Sequence, residues 1–250
     1  MQVSAERRAR GLSFLASYTY SHALDENTNS PGAVVNPYNI HADYGDSDLN
    51  IPNRFVASAT YQLPFTTSGK LKPVVQGWQV NAILQYFDGL PFSVTSANGV
   101  GDGLTPRAEL VPGYGNGSLS SDKRSIHEWF NTSAFVSIPL TGPLANGQWG
   151  NSGRNILQGP GTKNVDFSAF KNFQLTESKV LQIRGEFFNL FNTPQFNNPS
   201  AVAPTPAATS TTLAPNITTG SAYGTIASAG SPTTFQRISR EIQLAVKFTF

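Results

Sequence analysis

The sequence has 250 residues, of which 13% are charged, about half the share that is usual in soluble domains, while 11% are aromatic. The formal net charge is +2 and the basic residues are scattered apart from Arg7, Arg8 and Arg10, so we predict no nucleic-acid partner. The absence of cysteine excludes disulfides, thiol catalysis and zinc–thiolate sites. The length allows one large β domain or two small ones.

The sequence contains no long apolar segment. No apolar run reaches the roughly 18 residues of a transmembrane helix. The first residues, "MQVSAERRARG", lack the apolar centre of a secretion signal. If the protein is exported, we therefore expect its signal peptide to lie outside this chain.

Six segments alternate apolar and polar residues at every second position, the period of a strand with two unlike faces. In chain order they are "GLSFLASYTYSH", "RFVASATYQL", "GWQVNAILQYFDG", "NVDFSAFKNFQL", "KVLQIRGEFFNLF" and "EIQLAVKFTF", with "LPFSVTS" as a candidate continuation of the third. In the last segment the pattern extends back through Ile238. One of its faces carries Ile242, Leu244, Val246, Phe248 and Phe250. Such a strand fits either a soluble sandwich, where the apolar face is buried, or a membrane barrel, where it contacts lipid.

The connections between these segments favour the barrel. Long Gly-, Pro-, Asn- and Ser-rich stretches follow the first, third and fifth segments, whereas "PFTTSGKLKP" and "TES" are short. In an antiparallel meander, alternate connections lie at the same end of the sheet. Outer-membrane barrels have this asymmetry, with short periplasmic turns and long extracellular loops. We predict an all-β fold: an antiparallel transmembrane β-barrel segment of about six long strands, forming an open curved sheet within a larger barrel.

Strand parity assigns side chains to the two faces. Arg184, Glu186 and Lys247 are predicted to face the lumen, where no charge needs to enter hydrocarbon. Lys171 shares the lipid face with Phe167 but lies near the periplasmic end, where its stem could snorkel. The interfacial aromatic girdles are predicted to include Tyr18, Tyr20, Tyr61, Trp78, Tyr86 and Phe87.

The search for catalytic and metal motifs gives one candidate site. The three histidines are dispersed and no nucleophile elbow or phosphate loop occurs, so we do not expect an enzyme or a cofactor. Asp43, Asp46 and Asp48 lie close together in a long loop and offer hard oxygen ligands for calcium, with a plain solvated loop as the alternative. "GVGDG", from residue 99, is interpreted as a turn. The low-complexity segment 199–221 is predicted to be mobile.

Several longer motifs resemble a known family. "GLSFLASYTYSHALDE", "WFNTSAF", "GNSGRNILQGPGTKNVDFSAFKNF", "LQIRGEFFNLFNTPQF" and "REIQLAVKFTF" are similar to the C-terminal part of the barrel in Oar-like TonB-dependent outer-membrane receptors. The resemblance covers nearly the whole chain and is most specific between residues 129 and 196. It assigns residues 1–250 to the C-terminal part of such a barrel. It implies a cell outer-membrane location in a Gram-negative-type bacterium, and uptake of an unidentified ligand or display of surface loops, without catalysis.

The resemblance also implies partners. Such receptors have a barrel of about 22 strands, a plug, a segment that contacts TonB and often an N-terminal regulatory-like domain, all of which we expect to lie outside this chain. Outer-membrane lipid and the barrel-assembly machinery are the other expected partners. By this analogy, the strand that ends at Phe250 is the terminal signal that the assembly machinery reads. The alternative is a secreted soluble β-sandwich, either an adhesin or a carbohydrate-binding module.

Overall fold

Seven long strands form one antiparallel sheet in the computed structural model of the protein. We number them β1 to β7; in chain order they are Gln2–Ala9, Leu12–Tyr20, Asn53–Gln62, Trp78–Phe87, Thr162–Gln174, Val180–Phe188 and Glu241–Thr249. Each strand pairs with its neighbours in sequence, so the sheet is a simple meander. The structure describes residues 1–27, 35–36, 38–99, 106–145, 149–218, 220–230 and 239–250.

Strand β1 is the part of the sheet that the sequence did not predict. It pairs with β2 along its whole length. The alternation of apolar and polar residues is not visible in β1, because the consecutive residues Arg7 and Arg8 place a charge on each face. The turn to β2 consists of Arg10 and Gly11, whose φ angles of 46° and 81° are both positive. Positive φ at both central residues is typical of the tight hairpin turn that matches the twist of a sheet. The predicted number of about six strands was therefore one too few.

The connections separate into two groups at opposite ends of the sheet. The end we call the loop end carries the three long connections, 21–52, 88–161 and 189–240. The other end, the turn end, carries the short connections, 10–11, 63–77 and 175–179. The second of these contains a 3-10 helix, Gly69–Leu71, and an α-helical turn, Lys72–Val75. The predicted alternation of long loops and short turns is confirmed.

The sheet has two open edges among the described residues. β1 and β7 each pair with a single neighbour, and neither pairs with the other. From the sequence we expected the first predicted strand, now β2, not to pair with the last strand, β7. Among the described residues these two strands do not pair. Ile238, which the sequence pattern assigns to the last strand, lies outside the described residues.

The described parts of the long connections form a layer with its own short strands, here named the loop layer (the described residues of 21–52, 88–161 and 189–240). Four two-residue pairings occur among its described residues: Leu24–Asp25 with Gly45–Asp46, Pro91–Phe92 with Leu157–Gln158, Glu109–Leu110 with Phe135–Val136, and Thr95–Ser96 in parallel with Val202–Ala203. The described part of the layer also contains the 3-10 helices Ile40–Asp43 and Thr132–Ala134.

Two sequence predictions change in the loop layer. "LPFSVTS" does not prolong the third predicted strand, because β4 ends at Phe87 and Pro91–Phe92 pairs with a distant segment instead. The low-complexity segment 199–221 was predicted to be mobile, yet Val202–Ala203 forms a strand and Ala203 is fully buried. Neighbouring loops supply the apolar contacts that this segment lacks by itself.

Among the described residues, the main cluster of buried apolar side chains lies in the loop layer and not against the sheet. Its fully or nearly fully buried members are Phe92, Val94, Ala108, Phe130, Ala134, Phe135, Leu157, Ala203 and Tyr223. The sheet, by contrast, carries many of the exposed apolar side chains. Within the described part of the chain, no helix has the length and apolar character needed to cross a membrane.

Candidate functional site: the sheet faces and the loop layer

One face of the sheet, which we call the apolar face, presents apolar side chains across all seven strands. Strand register connects them in rows; one row runs Leu244, Gly185, Ala169, Val80, Tyr61, Leu12 and Ala9. Next to it, Val246 lies opposite Ile183. Leu244 is 79% exposed and Val246 is 69% exposed. An apolar face of this extent that no described element covers requires apolar surroundings.

The predicted terminal-strand residues lie where the sequence placed them. Ile242, Leu244, Val246 and Phe248 all project from the apolar face of β7, opposite Phe187, Gly185, Ile183 and Leu181 respectively. Phe250 follows the end of β7, and its ring stacks on that of Phe248 with 5.9 Å between centroids. Both rings are exposed. The role of this strand as an assembly signal stays a prediction.

The opposite face, the polar face, carries the predicted lumen-facing charges. Arg184 and Glu186 lie two residues apart on β6, with 3.9 Å between the guanidinium Nε and a carboxylate oxygen. Lys247 on β7 lies opposite Gln182 on the same face. A depression of about 210 Å³ nearby is lined by Asn81, Asp166, Ser168 and Glu186, together with apolar side chains such as Ile83 and Phe170. This depression combines two carboxylates with apolar walls.

Lys171 is the exception on the apolar face. Its side chain is almost fully buried, and its ammonium donates a hydrogen bond to the backbone carbonyl of Gln76. The same nitrogen lies 4.6 Å from the centre of the Phe173 ring and 5.7 Å from that of Trp78. The charge therefore reaches a backbone acceptor at the turn end while aromatic rings cover it. This geometry agrees with the predicted snorkelling of its stem.

The predicted aromatic girdle is present in part. Trp78 at the turn end is 37% exposed, and Tyr86 at the loop end is 38% exposed. Phe87 does not belong to the girdle: it is buried, and the guanidinium of Arg54 lies 4.8 Å above its ring. Parity explains the difference, because Phe87 follows Tyr86 directly and so belongs to the polar face.

In the loop layer, aromatic rings pack around Phe130. The centroids of Phe92 and Phe135 each lie 5.8 Å from that of Phe130, and the Tyr223 ring lies 5.4 Å away. Phe135 and Tyr223 meet the Phe130 ring edge to face, an arrangement that suits the aromatic quadrupole. These residues come from the second and third long connections. The cluster therefore joins the two connections into one body.

A buried ion pair joins the first long connection to the second. Arg107 donates from Nη1 to the carboxylate of Asp43, and both side chains are almost fully buried. Its other nitrogens donate to backbone carbonyls, Nη2 to Ala42 and Nε to Ser152, each at 2.7 Å. The guanidinium is thus held by one charged and two neutral acceptors. These three hydrogen bonds, one of them to a carboxylate, offset part of the cost of removing the charge from water.

A second arginine, Arg154, also links the second long connection to the first. Arg154 Nη1 donates to the carboxylate of Asp25, and Nη2 lies 3.4 Å from an oxygen of Asp48. The side chain of the next residue, Asn155, donates to the Asp46 carbonyl at 2.7 Å and to the Asp48 carboxylate at 2.6 Å. Two consecutive residues of the second connection therefore fix the acidic stretch of the first.

The structure does not bring the calcium candidates together as a metal site. Asp43 bonds Arg107, Asp46 bonds His22 at 2.8 Å, and Asp48 contacts Arg154 and Asn155. Among the described residues, no group of three or more acidic, histidine or cysteine side chains has an arrangement that could hold a metal ion. The carboxylates act as acceptors that connect loops. The "GVGDG" turn lies mostly outside the described residues.

Burial changes the ionisation of two groups in the loop layer. The pKa of the Glu109 carboxyl is raised because it is partly removed from water, although a hydrogen bond from the Asn151 backbone opposes the shift. The pKa of the Tyr223 hydroxyl is also raised by burial. Both shifts favour the neutral form of the group.

The sequence did not identify Arg107, Arg154 or Asn155 as structural residues of the loop layer. Arg154 and Asn155 belong to the motif "GNSGRNILQGPGTKNVDFSAFKNF", which carries the family resemblance. Their place in this motif is the sequence signal that could have identified them. Arg107 stands alone in its segment, and its partner Asp43 is 64 residues away. Nothing local in the sequence pairs them.

Residues 1–243 match the model of a family described as an outer membrane beta barrel domain. No curated protein and no solved structure matches the chain.

Proposed function

The chain belongs to the outer membrane beta barrel domain family and resides in the outer membrane; from this we propose that it is the C-terminal barrel portion of a TonB-dependent receptor or transporter resembling the Oar-like proteins. In this role it takes up a ligand or displays its loop layer at the cell surface, and it performs no catalysis. Lipid contacts the apolar face, and the polar face lines the lumen.

The observation that carries this proposal is the continuous, exposed apolar face opposite a polar one. In a soluble sandwich, Leu244 and Phe248 would lie in a dry interior, yet they are 79% and 49% exposed. The open edges support a larger assembly, because an unpaired strand edge in hydrocarbon leaves backbone groups unsatisfied at several kcal/mol each. Further strands of a larger barrel would pair with β1 and β7, and the barrel-assembly machinery would join them.

The polar face and the loop layer supply the surfaces for a ligand. The depression beside Asp166 and Glu186 has carboxylates and apolar walls, so it suits a cationic group on an apolar stem, from either a ligand or the expected plug. The loop layer would stand outside the membrane as a folded cap. Its ion pairs and aromatic core would make it rigid enough to display a surface.

The orientation can be tested by cysteine labelling, because the chain contains no cysteine. Asp122→Cys places a thiol at the loop end and Glu177→Cys places one at the turn end. A membrane-impermeant maleimide added to intact cells should label only the first, and should label both after the outer membrane is opened. Labelling of Glu177→Cys alone in intact cells would contradict the proposed orientation.

Membrane attachment and coupling to TonB need separate measurements. The protein should remain in the outer-membrane fraction after an alkaline wash and be released only by detergent; a soluble monomer would contradict the barrel. In-cell cross-linking of the whole protein should capture TonB, with a known TonB-dependent receptor as the positive control. Failure to capture TonB under conditions that capture the control would contradict the receptor assignment.

A further inference from the structure

The turn end carries lysines whose charges nothing in the described structure neutralises. Lys70 and Lys72 lie in the connection 63–77, and Lys179 lies in the connection 175–179. In the described part of the chain their side chains form no ion pair. Arg107 and Arg154 of the loop layer, by contrast, both contact carboxylates. Glu177 is the acidic side chain of these two turns.

A cleft of about 600 Å³ lies between these two connections. Its lining combines the ammonium-bearing Lys72 and the amides of Gln76 and Asn172 with the apolar side chains of Phe173 and Leu175. Phe173 belongs to the apolar face of β5, whereas Asn172 belongs to the polar face. The cleft therefore opens where the apolar face meets the polar turn end.

The surroundings of the cleft are amphipathic. Leu71, Val74 and Leu175 are 64%, 60% and 56% exposed at this end of the molecule. The indole of Trp78 donates to the Val74 carbonyl at 2.9 Å, so this aromatic residue is fixed beside the exposed apolar side chains. Tryptophan prefers the interface between lipid and water. The cleft thus lies at the expected depth of lipid headgroups.

We propose that this cleft binds the headgroup of an anionic phospholipid from the membrane leaflet that faces the turn end. Lys72 contacts the phosphate, Lys70 and Lys179 add to the positive potential, and Phe173 and Leu175 contact the acyl chains. The apolar lining favours a lipid over free phosphate, and the unpaired lysines favour an anionic lipid over a zwitterionic one. The inference rests on the orientation in the proposed function, which places the turn end toward the periplasm.

The test is lipid binding by the whole outer-membrane protein, purified in detergent and stripped of its native lipid. Dioleoyl phosphatidylglycerol is the probe, and native mass spectrometry counts the bound molecules. A lysine near an anionic surface contributes an attraction that corresponds to about a fivefold change in binding. Lys72→Gln should therefore weaken binding about fivefold. Lys123→Gln, which removes the same charge from an exposed site in the loop layer, should leave binding unchanged.

Three results would overturn the proposal. One is an equal loss of binding in Lys72→Gln and Lys123→Gln; the second is equal affinity for dioleoyl phosphatidylcholine. The third is displacement of the lipid by an equal concentration of inorganic phosphate, which would identify a free-phosphate site. Heat-modifiable electrophoretic migration, measured on every sample, reports the folded barrel separately. Its absence in the unmodified protein would count against the proposed function and not against the lipid site alone.

Discussion

Arg107 and Asp43 form a buried ion pair between residues 64 positions apart in the chain, and the pair joins two of the three long connections. The Arg107 side chain also bonds the carbonyls of Ala42 and Ser152. One side chain thereby fixes the relative position of a 3-10 helix and an irregular segment from different connections. The loop layer is a folded unit because of contacts of this kind and not because of its local sequence.

Replacement of Asp43 by asparagine should destabilise the loop layer by about 3 to 5 kcal/mol, because the Arg107 charge would stay buried without its counter-ion. Limited proteolysis of the outer-membrane protein at the cell surface measures the effect. Asp122→Asn, at a fully exposed carboxyl, is the control and should have no effect. Equal protease resistance of Asp43→Asn and the unmodified protein would show that the pair does not hold the connections together.

Removal of the ring at the centre of the aromatic cluster should also loosen the loop layer. Phe130 is 1% exposed and contacts three other aromatic rings, so Phe130→Ala should cost about 3 to 5 kcal/mol. The matched change Phe191→Ala removes a ring that is 72% exposed and should be nearly neutral. Hydrogen exchange in the loop layer distinguishes the two variants. Similar exchange rates in both would argue against a cooperative core there.

The two faces of β7 should respond differently to a new charge. Leu244→Arg puts the charge on the apolar face and should cost about 2 to 4 kcal/mol if the site lies near mid-depth. Gln243→Arg puts it on the polar face and should cost much less. The yield of heat-modifiable protein in the outer membrane compares the two. Equal yields would mean that the faces have been assigned wrongly.

Two glycines at the turn end provide a test of strand packing. Gly77 and Gly69 have similar positive φ angles, 80° and 75°, so a side chain strains the backbone at both. A Cβ at Gly77 would also lie 2.6 Å from the carbonyl oxygen of Asn172, whereas one at Gly69 would meet no atom within 4 Å. Gly77→Ala should therefore be the more destabilising by about 1 to 3 kcal/mol. Equal thermal stability of the two variants would contradict the close approach of Gly77 to the Asn172 carbonyl.

The terminal aromatic residue should affect assembly more than stability. Phe250 is 89% exposed, so its deletion removes little packing within the chain. If the assembly machinery reads this strand, the deletion should strongly reduce the amount of protein in the outer membrane. Phe65→Ser, which changes an exposed aromatic in another connection at the turn end, should reduce it little. Normal levels of the deletion variant would contradict the terminal-signal hypothesis.

Sequence alone was sufficient for the faces of β2 to β7 and for the ends of the sheet. The period of two assigned Leu244 and Arg184 to opposite faces, and the register confirms this because side chains in paired strands project to the same side. The alternation of long and short connections fixed which end carries the loops, since strand direction reverses at each step of a meander. Both deductions depend only on local chain geometry.

The sequence failed at β1 and in the connections, each time for a physical reason. At β1, Arg7 lies on the apolar face and Arg8 on the polar face, and pairing with β2 outweighs this lack of alternation. In the loop layer, Asp43, Asp46 and Asp48 share a pattern typical of a cation site, but each carboxylate takes a different partner. Local composition does not reveal whether a group of carboxylates binds a metal ion or pairs with an arginine that is distant in the chain.

The sequence by itself thus determined the strand faces, the two ends and the all-β class, because these follow from the period of the strand and the order of the connections. Only the tertiary structure decided that the long connections fold into a layer around Phe130, that Arg107 and Arg154 hold its acidic stretch, and that Lys171 reaches the Gln76 carbonyl. These contacts join residues far apart in the chain. Their stability comes from burial and from the pairing of charges removed from water, and neither produces a periodic pattern of residues in the sequence.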